Sequence, residues 1–451
     1  MTLKFGTDGV RGVANSELTP ELTMALGRAA ARVLGTGSYA IGRDTRRSGP
    51  MLEAALVAGL CSEGASAVLL GVVPTPVVAR YAQSTGAAGA MISASHNPFG
   101  DNGVKLFARG GRKLTDEAEE LLEAELERII LSPDPAGEVP LGAGVGGVEM
   151  RGDFVAEYQA ALLDALEGRR LDGVSVVLDC AHGSATEVAP ALFARAGAEV
   201  VTIGAGPDGT NINDGVGSTA PEVLAAEVIR HRADLGLAFD GDADRLVAVA
   251  DDGSVVDGDR LLCLFAVDLR ARGRLPRDTL VVTVMSNVGL RLAMGEAGVR
   301  LVTTPVGDRY VLDELERGGF GLGGEQSGHI VFTELATTGD GLLSGLMLVD
   351  LVRRAGCPLS ELAAAAMVRY PQVLLNVPVA ERVPDVAERM RRELAAAERN
   401  LGTTGRVLLR PSGTEPVVRV MVEAEDLELA QAVAENLASE VARQHGRHPS
   451  R

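Results

Sequence analysis

The sequence predicts an α/β protein, with three similar mixed α/β domains followed by a smaller C-terminal α+β domain. Its 451 residues exceed what one hydrophobic core holds, since domains of about 100–200 residues are usual. Short β-rich runs alternate with helical stretches through most of the chain, a pattern typical of largely parallel sheets. After Pro371 the order changes to strand, helix, two strands and helix, which indicates a unit of another kind.

The first predicted domain spans residues 1–148. Its expected elements are strands at 40–41 and 68–70, a strand ending at Ile92, and helices over 51–61 and 114–131. The Pro/Gly-rich stretch 132–147 then marks a boundary, because turn formers interrupt both helical and strand periodicity.

The second and third predicted domains span 149–252 and 253–368. The second begins with a helix whose apolar residues recur at every fourth position and form one stripe: Phe154, Tyr158, Leu162 and Leu166. Its expected strands cover 174–178, 199–203 and 235–239. The third has helices over 261–269 and 308–315 and strands over 280–284 and 301–303.

The fourth predicted domain spans 369–451. We expect a helix over 386–398 and strands over 407–410 and 417–423. The last helix carries one apolar face, formed by Ala430, Val433, Leu437 and Val441.

Composition restricts the possible partners and the compartment. With 43 Lys+Arg against 61 Asp+Glu the net charge is −18, which disfavours broad contact with nucleic acid or anionic membrane. An anionic ligand therefore needs a local basic pocket. The four cysteines lack metal-ligand spacing, and no apolar run approaches the ~20 residues of a membrane span. These features predict a cytoplasmic protein with reduced thiols.

The segment 239–245, FDGDADR, brings three carboxylates into one tight loop between two apolar runs. The mutual repulsion of Asp240, Asp242 and Asp244 is costly unless a hard divalent cation is shared. An EF-hand is disfavoured because Arg245 stands where its loop needs Gly. A solvated acidic turn and an aspartyl-nucleophile phosphatase using Asp240 remain alternatives.

The segment 410–416, RPSGTEP, with Arg419 on the next strand, combines backbone N–H groups, hydroxyls and guanidinium groups. Such a set suits a phosphate, although Pro-Ser-Gly alone is a common turn.

Two further segments are weaker signals. The Gly-rich segment 323–329, GGEQSGH, offers Glu325, Ser327 and His329 as hydrogen-bonding groups for sugar hydroxyls, but a polar loop has the same composition. At the N-terminus, glycines around Arg11 allow close approach of the backbone to a ligand, and a flexible turn is the alternative.

The stretch 89–107, GAMISASHNPFGDNGVKLF, places an apolar strand before a loop of turn formers. Here Ser95 is a candidate phosphate carrier, His96 its local hydrogen-bond partner, and Lys105 a proton-transfer group or phosphate contact. The alternative is a polar turn in which Ser95 only satisfies backbone groups.

These motifs occur together and in the same chain order in the α-D-phosphohexomutase family, which the chain resembles from about residue 5 to about residue 442. The resemblance is carried by FGTDGVRG, ISASHNP, PDGTNINDGVGS, DGDADR, TTPVGDRYV, GEQSGH and RPSGTEP, and it is strongest with the branch that acts on glucosamine phosphates. Family members often carry a second Gly in the metal loop where this chain has Ala243, a change that alters no ligand.

The resemblance implies four domains around a central cleft and a role for each motif. Ser95 would carry the phosphoryl group, and one Mg²⁺ would be held by Asp240, Asp242, Asp244 and an oxygen of phosphorylated Ser95. Arg11, Lys105 and Arg245 match cleft residues that support phosphoryl and proton transfer, and His96, the candidate partner of Ser95, is a further expected catalytic residue. The sugar loop would supply Glu325, Ser327 and His329, and the phosphate loop Arg410, Ser412, Gly413, Thr414 and Arg419.

The implied reaction interconverts glucosamine 6-phosphate and glucosamine 1-phosphate through a 1,6-bisphosphate, for amino-sugar nucleotide and cell-wall precursor synthesis. The implied partners are hexosamine phosphates, with neither nucleic acid nor membrane, and the oligomeric state is open, a homodimer included. A family member acting on glucose or mannose phosphates is the main alternative. A catalytically silent sugar-phosphate-binding protein is another, although Ser95 and the three aspartates are all present.

Overall fold

The computed structural model describes residues 9–132, 139–412 and 416–446, which form two compact units. The first unit takes in the described residues up to 285 together with 299–364, and the second takes in 286–298 and those from 365 onward. Three mixed sheets lie in the first unit and an antiparallel sheet lies in the second. The predicted fold class of three similar α/β domains and a smaller fourth one is confirmed.

The first sheet has seven strands, and β6 pairs with β5 outside the main order β1-β5-β4-β2-β3-β7. In chain order the elements are β1 Val10–Val13, α1 Pro20–Leu34, β2 Ser38–Arg43, α2 Gly49–Ser62, β3 Ser66–Val72, α3 Thr75–Thr85, β4 Ala88–Ile92, β5 Asp101–Ala108, β6 Arg112–Lys113, α4 Asp116–Leu131 and β7 Val148–Met150.

The second sheet has the order β12-β11-β10-β8-β9, and the third has the order β14-β13-β15-β16. The elements of the second are α5 Phe154–Asp164, β8 Ser175–Asp179, α6 Ala185–Ala196, β9 Glu199–Ile203, α7 Glu222–His231, β10 Leu235–Phe239, β11 Leu246–Ala250 and β12 Val255–Val256. Then follow α8 Gly258–Ala271, β13 Thr279–Thr283, α9 Val288–Glu296, β14 Arg300–Thr304, α10 Asp308–Gly318, β15 Leu322–Gly324, β16 Ile330–Phe332, α11 Gly341–Ala355 and α12 Leu359–Ala366.

The three sheets share one pattern of pairing. In each, a central strand (β2, β8 or β13) pairs in parallel with two neighbours, and the later neighbour (β4, β10 or β15) then pairs antiparallel with the next strand. The connection after β4, β10 or β15 therefore leaves the carboxyl end of a buried parallel strand, where α/β proteins commonly place ligands. Ser95, Asp240 and Glu325 all lie on these connections.

The second unit contains the antiparallel sheet β17-β19-β18, packed against helices. Its remaining elements are β17 Gln372–Pro378, α13 Val386–Arg389, α14 Arg391–Leu401, β18 Arg406–Pro411, β19 Val417–Glu423 and α15 Leu427–His445. The prediction of a single helix over 386–398 was wrong. The helix is interrupted at Met390, whose φ is −101° and ψ is 20°. The Met390 side chain is fully buried at this break, so core packing overrides the continuous helical pattern.

Short polar side chains begin several helices. Thr19, Thr115, Asp257, Asp340 and Asp426 each accept a hydrogen bond from a backbone N–H in the first turn, satisfying a donor that has no partner within the helix.

The stripe predicted from Phe154 to Leu166 is buried. The predicted domain boundaries stay a prediction. Among the described strands, β7 extends the first sheet to Met150 and β12 extends the second to Val256, past the boundaries expected at residues 148 and 252.

The buried carboxyl group of Asp340 links α5 to α11. Asp340 is 2% exposed, and it caps α11 by accepting from the Leu343 N–H at 3.0 Å. The Tyr158 hydroxyl donates to it at 2.9 Å. Burial raises the pKa of Asp340 to about 6, against hydrogen bonds that lower it.

We expect Asp340→Asn to change how stability depends on pH. Because the folded-state pKa lies above the unfolded one, the native carboxyl contributes stability at low pH that is lost as pH rises through about 6. Asn keeps both acceptor contacts without ionising. Relative to the variant, the native protein should therefore lose about 1 kcal/mol of unfolding free energy between about pH 5 and about pH 7.5. Denaturant titrations of both proteins measure this, and a difference constant with pH would contradict it.

Candidate active site

The loop after β4 presents Ser95 in an uncommon backbone conformation. Its φ is 53°, in the left-handed region that residues with a Cβ rarely adopt. The side chain is fully buried, and its Oγ donates to Asp240 Oδ2 at 2.5 Å. The Nδ1 atom of His96 lies 3.3 Å from the same Oγ. The fold therefore brings the candidate carrier hydroxyl directly to the carboxylate loop.

The carboxylate loop follows β10, as predicted. Ligand oxygens of Asp240, Asp242 and Asp244 all lie within 4.8 Å of one another, and the three side chains are buried. Burial, together with repulsion from Asp244 and Asp242, raises the pKa of Asp240 well above its usual range. Burial also opposes ionisation of Asp244, but Lys105 and His329 outweigh it and hold its pKa well below the usual range.

These carboxylates fit a divalent cation. Among the described residues, Asp242 Oδ1 and Asp244 Oδ1 are buried and have no hydrogen-bond partner, an arrangement that is costly for a carboxylate unless another group satisfies it. Carboxylate oxygens in a compact group are what Mg²⁺ and Ca²⁺ prefer. The donor set thus supports a metal site of the predicted composition.

Lys105 lies on β5 and is 2% exposed. Its Nζ is 2.7 Å from Asp242 Oδ2 and 3.0 Å from Asp244 Oδ2. Thr75, at the start of α3, also donates to Asp242 Oδ2, at 2.6 Å. Sequence reasoning missed Thr75, for which the turn-forming Pro-Thr-Pro at 74–76 was the available signal.

Two other predicted cationic residues, Arg11 and Arg245, lie close enough to His96 to affect its charge. Arg11 lies on β1 beside β5, and the Arg245 N–H donates to Asp240 Oδ1 at 3.2 Å. Burial and the positive charges of Arg245 and Arg11 lower the pKa of His96 to about 4. The imidazole is therefore neutral near pH 7, so it faces Ser95 as a hydrogen-bond partner without a charge.

The three residues of the predicted sugar loop differ in how exposed they are to solvent. Glu325 is half-buried and accepts from the Gly307 N–H at 3.1 Å and from the Ser327 hydroxyl at 3.2 Å. Ser327 is exposed. His329 is 2% exposed and its Nδ1 lies 3.8 Å from Asp244 Oδ2, so the imidazole lies against the carboxylate loop.

In the second unit, the strand register places Arg410 directly across from Arg419. Burial and the charge of Arg419 lower the pKa of Arg410. Like charges opposite each other on a sheet repel, and a shared anion relieves that repulsion. Ser412 is 3% exposed and its N–H donates to the Val417 carbonyl at 2.8 Å, whereas Gly413 and Thr414 lie outside the described residues.

Four family models match the chain. They are described as phosphoglucomutase/phosphomannomutase α/β/α domains I, II and III and the C-terminal domain, and they cover residues 2–132, 154–253, 257–370 and 374–440. A Rhodococcus opacus (strain B4) protein named phosphoglucosamine mutase is 54% identical over 446 residues, which cover 97% of this chain and 99% of that protein.

Two solved structures resemble the fold. A phosphoglucomutase/phosphomannomutase family protein from Burkholderia thailandensis has a TM-score of 0.80 at 26% identity, covering 97% of both chains. The N-acetylphosphoglucosamine mutase of Aspergillus fumigatus, solved with GlcNAc-6P and magnesium, has a TM-score of 0.70 at 19% identity, covering 99% of this chain and 96% of its own. The family models span most of the sequence and the Rhodococcus protein matches nearly end to end, so the chain belongs to the phosphoglucomutase/phosphomannomutase family of α-D-phosphohexomutases.

Proposed function

We propose that this protein interconverts glucosamine 6-phosphate and glucosamine 1-phosphate as an isomerase, with phosphorylated Ser95 as its working form. The observation that carries the chemistry is the Ser95 hydroxyl 2.5 Å from Asp240, at the head of three buried carboxylates. The choice of sugar rests on the 54% identity to a protein named phosphoglucosamine mutase. That identity does not favour the alternative of a glucose or mannose phosphate mutase.

The reaction needs two phosphoryl transfers. In the first, the bond between Ser95 Oγ and phosphorus breaks, and the 1-hydroxyl oxygen of glucosamine 6-phosphate bonds to phosphorus. That hydroxyl loses its proton and Ser95 Oγ gains one, giving glucosamine 1,6-bisphosphate. After the bisphosphate turns around, the bond between the sugar 6-oxygen and phosphorus breaks and Ser95 Oγ bonds to that phosphorus. Ser95 Oγ loses its proton, the 6-oxygen gains one, and glucosamine 1-phosphate leaves.

One Mg²⁺ would be held by Asp240, Asp242, Asp244 and an oxygen of phosphorylated Ser95. When bound, it supplies positive charge that stabilises the phosphoryl group during transfer. The oxygens of Asp242 and Asp244 that lack hydrogen-bond partners among the described residues support this assignment.

The chain's own groups would divide the remaining work. Neutral His96 would orient Ser95 Oγ, while Arg11 and Arg245 would offset the phosphoryl charge. Lys105, held by two aspartates at 2.7 and 3.0 Å, would act as a phosphate contact or proton-transfer group once the metal shares those carboxylates. In each transfer one phosphate of the sugar does not react, and we assign its binding to Arg410, Ser412, Gly413, Thr414 and Arg419.

The sugar itself would be recognised by the loop of Glu325, Ser327 and His329. The exposed Ser327 hydroxyl, donating to Glu325 at 3.2 Å, supports a contact with sugar hydroxyls. His329 would act from its buried place beside Asp244.

We assign small hexosamine phosphates as partners, with neither nucleic acid nor membrane, since a net charge of −18 disfavours broad contact with nucleic acid or an anionic membrane. Among the described residues, no helix is both long and apolar enough to cross a bilayer. We assign the protein to the cytoplasm, where sugar-phosphate substrates for amino-sugar nucleotide and cell-wall precursor synthesis would be found, and a homodimer is compatible with this function.

A panel of sugar phosphates tests the substrate. With phosphorylated protein and Mg²⁺, we expect kcat/KM for glucosamine phosphate to exceed that for glucose or mannose phosphate by at least about 10-fold, since a site that binds a protonated amino group through a charge-assisted hydrogen bond keeps only a weaker neutral bond with a hydroxyl analogue. Coupled assays of the three 6-phosphates measure this. Equal or higher values for glucose or mannose phosphate would contradict the proposed substrate. If none of the three sugar phosphates is turned over above background, the mutase activity itself is contradicted.

A further inference from the structure

Two side chains from different domains donate hydrogen bonds to the same two carbonyl oxygens of the Ser95 loop. Arg46 Nη2 donates to the Ser95 carbonyl at 2.9 Å and to the Asn97 carbonyl at 2.8 Å. Asn213 Nδ2 donates to the same oxygens at 2.9 and 3.1 Å. Because a carbonyl oxygen has two lone pairs, the two donors together fill the accepting capacity of each.

Most of the hydrogen bonds that the Arg46 guanidinium donates go to carbonyl groups of the Ser95 loop. Arg46 is 1% exposed, and its Nη1 also donates to the carbonyls of Pro98 and Asp101. Its Nε pairs with Asp44 Oδ2 at 2.9 Å, which compensates the buried charge. A buried guanidinium that bonds to one carboxylate and to four carbonyl groups between residues 95 and 101 has the geometry of a fixed support.

The support acts on a strained residue. A non-glycine residue at a φ of 53° is strained and persists only where its surroundings determine it. The Ser95 N–H is held by Ser93 Oγ at 2.9 Å, and Ser93 in turn donates to Asp44 at 2.7 Å. With N–H and C=O both fixed, Oγ is directed at Asp240.

Asn213 links this support to the second domain, which carries the carboxylate loop. Its own φ is 59°, a conformation that Asn tolerates better than most residues. A Cβ added at Gly241, inside the carboxylate loop, would lie 2.6 Å from the Ser95 carbonyl oxygen and 3.1 Å from Asn213 Nδ2. The three loops therefore meet without space for a further methyl group.

We propose that Arg46 and Asn213 are positioning residues, which hold the Ser95 carbonyl so that the hydroxyl keeps the orientation from which its phosphoryl group is transferred. The proposal rests on the proposed role of Ser95. Both residues act through the Ser95 backbone, and a displacement of about 1 Å at a reacting group is enough to cost about 100-fold in rate.

Asn213→Gly tests the proposal, because Gly adopts the left-handed backbone readily and lacks the side-chain amide that donates to the loop. We expect kcat to fall about 10- to 100-fold, with KM for glucosamine 6-phosphate within about 2-fold of native and an altered phosphorus NMR signal of phosphorylated Ser95. Arg46→Lys, which retains the charge but loses the fork of donors, should act in the same direction. Asn211→Gly is the matched control, since within the described part of the chain that amide bonds only to Asp208 and Gly206 of its own loop.

Native kcat and an unchanged phosphorus signal in Asn213→Gly would overturn the positioning role while leaving the function intact. An equal loss in the Asn211→Gly control would also overturn it, because the effect would then belong to the loop as a whole. Absence of phosphate on Ser95 in the native protein would instead remove the proposed function. Phosphopeptide mass spectrometry of the native protein therefore separates the two failures.

Discussion

Replacing Ser95 by Ala is expected to lower mutase kcat by at least about 10⁴-fold, since it removes the atom that carries the phosphoryl group and nothing else in the site replaces a lost nucleophile. The variant should retain its fold, because the hydroxyl is small and the backbone contacts of the loop remain. Steady-state assays with glucosamine 6-phosphate measure the loss, and phosphopeptide mass spectrometry should find phosphate on Ser95 of the native protein only.

Two further variants separate loss of the hydroxyl from loss of backbone geometry. Ser95→Gly relaxes the strain of a φ of 53° and should be as inactive as the Ala variant. Ser84→Ala removes a serine hydroxyl that donates to the Tyr81 carbonyl within α3, and it should keep native kcat. An active Ser95→Ala enzyme, or phosphate carried on another residue, would disprove the role given to Ser95.

Substituting Asn for Asp242 is expected to lower kcat by at least about 100-fold and to weaken stabilisation by Mg²⁺. The native protein gathers three buried carboxylates within 4.8 Å, so a bound divalent cation removes a large repulsion. A ligand that binds only the folded state stabilises it by about 2.7 kcal/mol at 100 times its dissociation constant. Thermal unfolding of the two proteins with Mg²⁺ and with EDTA measures this difference.

Asp252→Asn is the control for charge. Asp252 is an exposed aspartate on the turn after β11, and its substitution should leave both kcat and the Mg²⁺ effect at native values. If EDTA leaves the native activity unchanged, or if Asp242→Asn shows the same Mg²⁺-dependent stabilisation as the native protein, the three carboxylates are not the metal site.

Much of the local structure could be predicted from the sequence because it depends on short-range periodicity. The stripe from Phe154 to Leu166 and the apolar runs before Ser95 and Asp240 are buried as expected. The break at Met390 could not be predicted, because the residues around it are acceptable in a helix and only packing of the fully buried Met390 side chain decides it.

The sequence by itself determined the family and the residue types of the site, because the motifs place a hydroxyl, three carboxylates and paired arginines at fixed positions. Only the tertiary structure decided which groups meet. Lys105 bonds to carboxylates more than 130 positions away, and Arg46 and Asn213 converge on one carbonyl across 49 and 118 positions. Such contacts depend on how the domains pack, so they produce no periodic pattern in the local sequence. In the folded protein they are specific, because buried donors and acceptors must meet with good hydrogen-bond geometry.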